Sequence, residues 1–141
     1  MNQYLFSAGL QDGMSCVSSA VSLGDFVYIS AQTGQGKELE EQVINTIQKI
    51  TDVISEFGIE FRHVVKLTVY LSDISKRDEF LQIFSHYVEA PYPACSIVEV
   101  GRLENDAMIA MEGFAINTTR YEKAQRESSC CEDCSDCSGC N

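Results

Sequence analysis

The sequence predicts a single α+β domain, a mixed sheet with two helices on one face in the order β-β-α-β-α-β-β. Three observations lead there. Residues 38–57 and 76–88 each repeat apolar side chains at helical spacing. Five shorter stretches are rich in β-branched and aromatic residues and are bounded by glycine, proline or aspartate. The last of these, Ala107 to Asn117, is apolar on both sides, with Met108, Ala110, Phe114 and Ile116 alternating against Ala107, Ile109, Met111 and Ala115. Two helices cover only one face of such a sheet. The other face therefore calls for a partner, and the expectation is a homo-oligomer that buries its helix-free faces.

The elements follow in order. Met1 to Ser15 shows little periodicity and reads as a loop or a short extended arm. Val17–Leu23 and Phe26–Ser30 read as a hairpin around the Gly24-Asp25 turn. The first helix carries Val43, Ile47, Ile50, Ile54 and Phe57 on one stripe. Glu38, Glu40 and Glu41 sit at its start, where negative charge suits the helix dipole, and Gly58 stands where glycine ends a helix. Val64 to Leu71 is a strand with Val65, Leu67, Val69 and Leu71 on one side and Lys66, Thr68 and Tyr70 on the other. The second helix turns Phe80, Phe84, Tyr87 and Val88 inward, and Pro91 and Pro93 close it off. Ala94 to Val100 is the next strand, Gly101 to Asp106 a turn, and Ala107 to Asn117 the last strand. From Tyr121 the composition changes, which divides the chain into a domain over residues 1–120 and an acidic cysteine-rich tail over 121–141.

The totals narrow the function. At 141 residues and 45% hydrophobic, the chain can bury one core of ordinary size. A net charge of −11 repels phosphate backbones and makes a nucleic-acid partner unlikely. No apolar run is long enough to span a bilayer, and the N-terminus lacks the pattern of a secretory leader, so a cytoplasmic protein without membrane contact is expected.

Three candidate sites follow from the residues themselves. Cys95 opens the Ala94–Val100 strand and shares a face with Ile97 and Glu99. It reads either as small packing or as a cleft thiol for an electrophile or metal. Glu112 lies in an apolar strand, where a carboxylate needs partners or a raised pKa. The tail spaces Cys130, Cys131, Cys134, Cys137 and Cys140 as in metal–thiolate segments, suited to Zn, Cu(I) or an iron–sulfur cluster. The same tail also has the composition of a flexible acidic segment with no metal. His63 and His86 are single and suit surface or capping roles.

Three ordered motifs carry a family resemblance. Gly24-Asp25-Phe26-Val27-Tyr28-Ile29-Ser30-Ala31-Gln32, Val64-Val65-Lys66-Leu67-Thr68-Val69-Tyr70-Leu71-Ser72-Asp73 and Pro93-Ala94-Cys95-Ser96-Ile97-Val98-Glu99-Val100-Gly101-Arg102-Leu103 resemble the signature segments of the Rid family, the reactive intermediate imine deaminases also labelled endoribonuclease L-PSP. The resemblance covers roughly Val17 to Asn117. It implies a chorismate-mutase-like fold, a homotrimer with ligand clefts between subunits, no cofactor in the domain, and hydrolysis of 2-imino or enamino acids.

The resemblance also implies a site, and this chain departs from it. The arginine that clamps the substrate carboxylate falls on Cys95. A thiol offers one weak donor where guanidinium offers two parallel charged ones. The family's tyrosine falls on Val17, beside Cys16, at the mouth of the same cleft. Its asparagine falls on Leu81, its cysteine on Ile97, and its glycine on Ala31, whose backbone N–H still serves. Glu112 keeps the place of the glutamate that orients or activates water. Arg102 matches a family arginine outside the reacting centre. Three functions stay open: a trimer that binds a small metabolite without the family's deamination, a divergent deaminase or hydrolase using Glu112 and water, and a metal or redox protein acting through the tail.

Overall fold

The computed structural model describes the backbone of residues 5–10 and 16–132 and the side chains of residues 16–127. Six strands are present among the described residues: β1 (Leu5–Leu10), β2 (Ser18–Leu23), β3 (Phe26–Gln32), β4 (Val64–Leu71), β5 (Ala94–Glu99) and β6 (Ile109–Ile116). The helices are α1 (Leu39–Ser55), α2 (Arg77–Tyr87) and α3 (Thr119–Glu132). The sheet runs β1-β2-β3-β6-β4-β5, antiparallel except for the parallel pair β4–β5 that α2 connects. This is the mixed sheet and the β-β-α-β-α-β-β core order that the sequence predicts.

Alternation decides which side chains form the core. Val27 and Ile29 of β3, Leu67, Val69 and Leu71 of β4, and Ile109, Met111 and Ala115 of β6 are all buried. They pack on Leu39, Val43, Ile50 and Ile54 of α1 and on Phe80 and Phe84 of α2. Both helices thus lie on one face.

Local chemistry fixes the joints. Gly24 turns the β2–β3 hairpin at φ +62° and Gly58 follows α1 at φ +74°, conformations that favour glycine. The loop after β3 is pinned to α1. A Cβ on Gly34 would lie 2.5 Å from the Gln42 carbonyl oxygen, so only glycine lets that loop approach. Gln42 itself is buried and bridges two segments. Its Nε2 donates to the Gly36 carbonyl at 2.9 Å, and its Oε1 accepts from the Met108 N–H at 2.8 Å. Glu99 accepts from the Ile74 N–H at 3.0 Å, tying the end of β5 to the turn that leads into α2.

Two elements extend the predicted order. The expected N-terminal loop or arm is β1, held antiparallel to β2 from Leu5↔Leu23 to Leu10↔Ser18. The expected tail begins as α3, so the change of composition at Tyr121 falls inside a helix. Asn117 Oδ1 accepts from the Thr119 N–H at 3.2 Å and its hydroxyl at 2.6 Å, starting that helix. Its docking is ionic. Glu122 accepts two bonds from the Arg62 guanidinium, at 2.6 and 3.2 Å, and Arg120 reaches Asp25 at 2.7 Å. The Arg62 bonds hold the Glu122 carboxyl down to about 2.

His63 is a capping residue as expected, but a buried one. Its Nδ1 accepts the Glu60 N–H at 3.0 Å, which leaves Nε2 facing Glu122 Oε1 at 3.5 Å.

Candidate functional site

The helix-free face is apolar at its margins and polar along one band. Phe26, Tyr28, Val98 and Phe114 project from it and are exposed in the single chain. Register builds the band from three strands. Glu112 of β6 stands opposite Thr68 of β4, and Thr68 stands opposite Ser96 of β5. Lys66 and Tyr70 flank Thr68 along β4, two residues to either side, so alternation points all five toward the same face.

Two hydrogen bonds organise the band. The Tyr70 hydroxyl donates to Glu112 Oε1 in a short bond. That bond, followed by desolvation, pushes the Tyr70 phenol above its ordinary range, so the hydroxyl stays protonated and Glu112 is the acceptor. At the other end Lys66 Nζ donates to Ser96 Oγ at 2.6 Å. Glu112 therefore has the partner that a carboxylate on an apolar strand requires.

Cys95 lies on the other side of the sheet. It stands opposite Leu67, and Ile97 opposite Val69, so both face the helix layer at the β5 edge. Leu81 and Ile97 pack against the core. Cys95 is exposed at the sheet edge. Desolvation nonetheless raises its thiol above the ordinary value, with Lys66 and Arg77 pulling it back down. Arg77, in the first turn of α2, was invisible in sequence as a neighbour of Cys95 because the βαβ crossover brings them together.

The remaining predicted residues lie far off in the same chain. Cys16 and Val17 precede β2 and are exposed, Val17 at 54%. Four strand spacings, about 19 Å, separate β2 from β5, and three separate Ala31 on β3 from it. Cys16 and Cys95 are thus not neighbours within one chain. The cleft residues divide into one group on the β2–β3 side, Cys16, Val17 and Ala31, and another at β5, Cys95, Ile97 and Leu81.

No cluster of three metal-ligating side chains occurs among the described residues. Of the tail cysteines, Cys134, Cys137 and Cys140 lie outside the described residues, as do the side chains of Cys130 and Cys131. No helix among the described residues is long and apolar enough to cross a membrane. Arg102 makes an exposed pair with Asp106 at 2.9 Å.

Sequence reasoning missed Tyr70 as the partner of Glu112. Its alternation with Lys66 and Thr68 was legible, but its facing of Glu112 depends on the β4–β6 register.

Comparison with known proteins agrees with this architecture. The endoribonuclease L-PSP family model matches residues 14–117. A RutC family protein of Saccharolobus solfataricus is 33% identical over 123 residues, covering 82% of this chain and 98% of that protein. The human 2-iminobutanoate/2-iminopropanoate deaminase is 27% identical over 107 residues, covering 70% of this chain and 78% of that protein. Among solved structures, yeast Mmf1 superposes with a TM-score of 0.74 at 22% identity, covering 79% of this chain and 98% of that one. RidA of an Antarctic Psychrobacter superposes at 0.72 and 24% identity, covering 82% and 99%. With the signature segments, the sheet order and the family match in agreement, the chain belongs to the endoribonuclease L-PSP family, the Rid family of imine deaminases.

Proposed function

We propose that this chain forms a homotrimer that binds a small metabolite in clefts between subunits, without arginine-dependent deamination of 2-imino acids. The observation that carries this reading is Cys95 at the position where the family resemblance expects guanidinium. A thiol raised above its ordinary value of 9.0 is neutral at pH 7 and cannot hold a carboxylate by charge. Leu81 and Ile97, packed on the core, supply no polar group in its place. The division of the cleft residues between the two sides of the sheet favours an assembled cleft. One chain cannot close it, whereas an adjacent subunit's β2–β3 side can approach β5. The exposed apolar margins of the helix-free face favour the same assembly.

The test has two arms. Sedimentation at micromolar concentration is expected to give three times the 15.7 kDa chain mass, and a monomer at that concentration removes the intersubunit cleft. For the chemistry, 2-iminopropanoate is generated in situ and keto acid release is followed. No acceleration over buffer is expected.

A second reading, hydrolysis by Glu112 and water, draws on the Tyr70–Glu112 bond, which holds a carboxylate in the pose needed to orient a water molecule. The human relative's name, an imine deaminase, supports it as well. Acceleration that disappears in Glu112→Gln selects this second reading over the first.

A further inference from the structure

Five of the seven cysteines fall between Cys130 and Cys140. Cys131, Cys134, Cys137 and Cys140 repeat at a three-residue period, with Cys130 beside the first. Two intervening residues is the shortest of the spacings at which paired cysteines chelate one ion in structural zinc sites. The spacers are Glu132-Asp133, Ser135-Asp136 and Ser138-Gly139. All but the glutamate are residue types that favour turns, so a short chain can bring successive thiols onto one point.

Charge separates a metal site from a redox one. Reactive thiolates sit beside Lys, Arg or His. Between Glu127 and Asn141 there is none of these, and Glu127, Glu132, Asp133 and Asp136 add negative charge. Several bare thiolates in that field repel one another and the carboxylates. A bound cation supplies the missing positive charge and holds the thiols deprotonated. The donor set then chooses the cation. Four sulfurs with no imidazole suit a soft ion rather than Mg or Ca. Bacterial iron–sulfur runs end in a three-residue gap and a proline, whereas here the last gap is two and no proline follows.

We propose that Cys131, Cys134, Cys137 and Cys140 form a thiolate site for one d10 metal ion, Zn(II) or Cu(I). Each ligand gives up its S–H proton to solvent as the metal–sulfur bond forms. The fold makes this site separable from the rest of the molecule. α3 is fastened at Arg120 and Glu122 and carries Cys130 and Cys131 in its last turn. Cys131 lies about 14 Å along the helix axis from Glu122, so substitutions at the ligands leave the docking contacts untouched. Among the described residues no cluster of three metal-ligating side chains occurs, and Cys16 and Cys95 lie far apart on the sheet. Within one chain the described part of the domain thus offers no rival chelate. The site is distinct from the intersubunit cleft, and its presence or absence leaves the metabolite-binding reading untouched.

The experiment uses the full-length protein, reduced and stripped of metal under nitrogen. Zn(II) alone is titrated in competition with a chromophoric chelator, and Cu(I) alone in competition with bicinchoninate. Binding of about one equivalent per chain is expected. Co(II), standing in for Zn(II), is expected to show sulfur-to-metal charge-transfer bands and the ligand-field bands of a tetrahedral site. Retention of one ion in the presence of the other names the resident metal. Cys134→Ser and Cys137→Ser are each expected to weaken binding at least about tenfold, the smaller end of what losing even an outer-shell partner costs. The double change Cys16→Ser with Cys95→Ser is expected to leave it unchanged, and melting curves check that every variant folds. The proposal is overturned if the reduced protein binds neither ion more tightly than the quadruple variant Cys131→Ser, Cys134→Ser, Cys137→Ser, Cys140→Ser, or if binding follows Cys16 and Cys95. Iron with acid-labile sulfide in anaerobically purified protein, lost in Cys134→Ser, also overturns it in favour of a cluster.

Discussion

The Tyr70–Glu112 bond is open to a direct energetic measurement. Tyr70→Phe removes the hydroxyl and little else, and Glu112→Leu removes the acceptor at similar volume. A buried hydrogen bond to a charged group contributes about 1.5–3 kcal/mol. Both side chains here are only partly buried, so solvent competes and the coupling falls to about 1 kcal/mol. In a domain of this size that corresponds to roughly 3–4 °C in Tm. A double-mutant cycle of urea unfolding at pH 7 isolates the pair from the other effects of each change. The pH dependence carries an independent signature. The phenol is raised above its ordinary value of 10.0 in the folded chain, so the unfolded chain loses this proton first as pH rises. The contribution is complete below pH 10 and is lost as pH climbs through the folded value. The stability difference between the unmodified protein and Tyr70→Phe is therefore expected to be level from pH 7 to 9 and to shrink above 10. A coupling energy indistinguishable from zero, or a difference that persists unchanged through pH 11, refutes the reasoning.

Three further outcomes follow from other parts of the molecule. Glu122 is held down to about 2, first by its Arg62 bonds, so its hold on α3 is complete above the ordinary 4.5 and fades as pH falls toward 2. Amide exchange is expected to rise in α3 between pH 4.5 and 2 before it rises in β4 or β6; unchanged α3 protection at pH 2 contradicts the ionic docking. The Cys95 thiol, raised by desolvation, is expected to react with iodoacetamide at pH 7 more slowly than a free small-molecule thiol. A faster reaction, read by mass spectrometry of the Cys95 peptide, would mean an activated thiolate. Gly34→Ala drives a Cβ into the backbone of α1 at Gln42 and Thr46, so it is expected to cost about 1–3 kcal/mol in denaturant unfolding. A neutral substitution there would mean that the loop moves away freely.

Much of the fold was legible because one-dimensional patterns carried it. The alternation in Val64–Leu71 gave β4 its boundaries, and the stripe from Val43 to Ile54 gave α1 its buried side. The doubly apolar pattern of β6 correctly signalled that one sheet face lies outside the helix layer. What stayed hidden depends on register and crossover. Glu112 was legible as a candidate, but that Tyr70 and Thr68 face it follows only from the β4–β6 pairing. The approach of Arg77 to Cys95 arises from the α2 crossover that joins β4 to the parallel β5. α3 was hidden for a different reason. Its sequence has no apolar stripe, and the side chain that starts it, Asn117, sits at the end of the preceding apolar strand stretch. His63 was expected near the surface, yet the Glu60–His63 turn folds it inward beneath Glu122.

The manner in which α3 is attached has a practical consequence. The described contacts that fasten it to the sheet domain are polar, Arg62 to Glu122, Arg120 and the Tyr121 hydroxyl to Asp25, and Glu122 over the buried His63 ring, and none of its described side chains belongs to the hydrophobic core. Ending the chain after Thr118 therefore removes polar contacts and uncovers the His63 imidazole but leaves the hydrophobic core intact. The boundary behaves as a splice point. Reporter sequences or alternative C-terminal segments can be exchanged there, and what the cysteine-bearing extension adds can be measured against a sheet domain that is otherwise the same molecule.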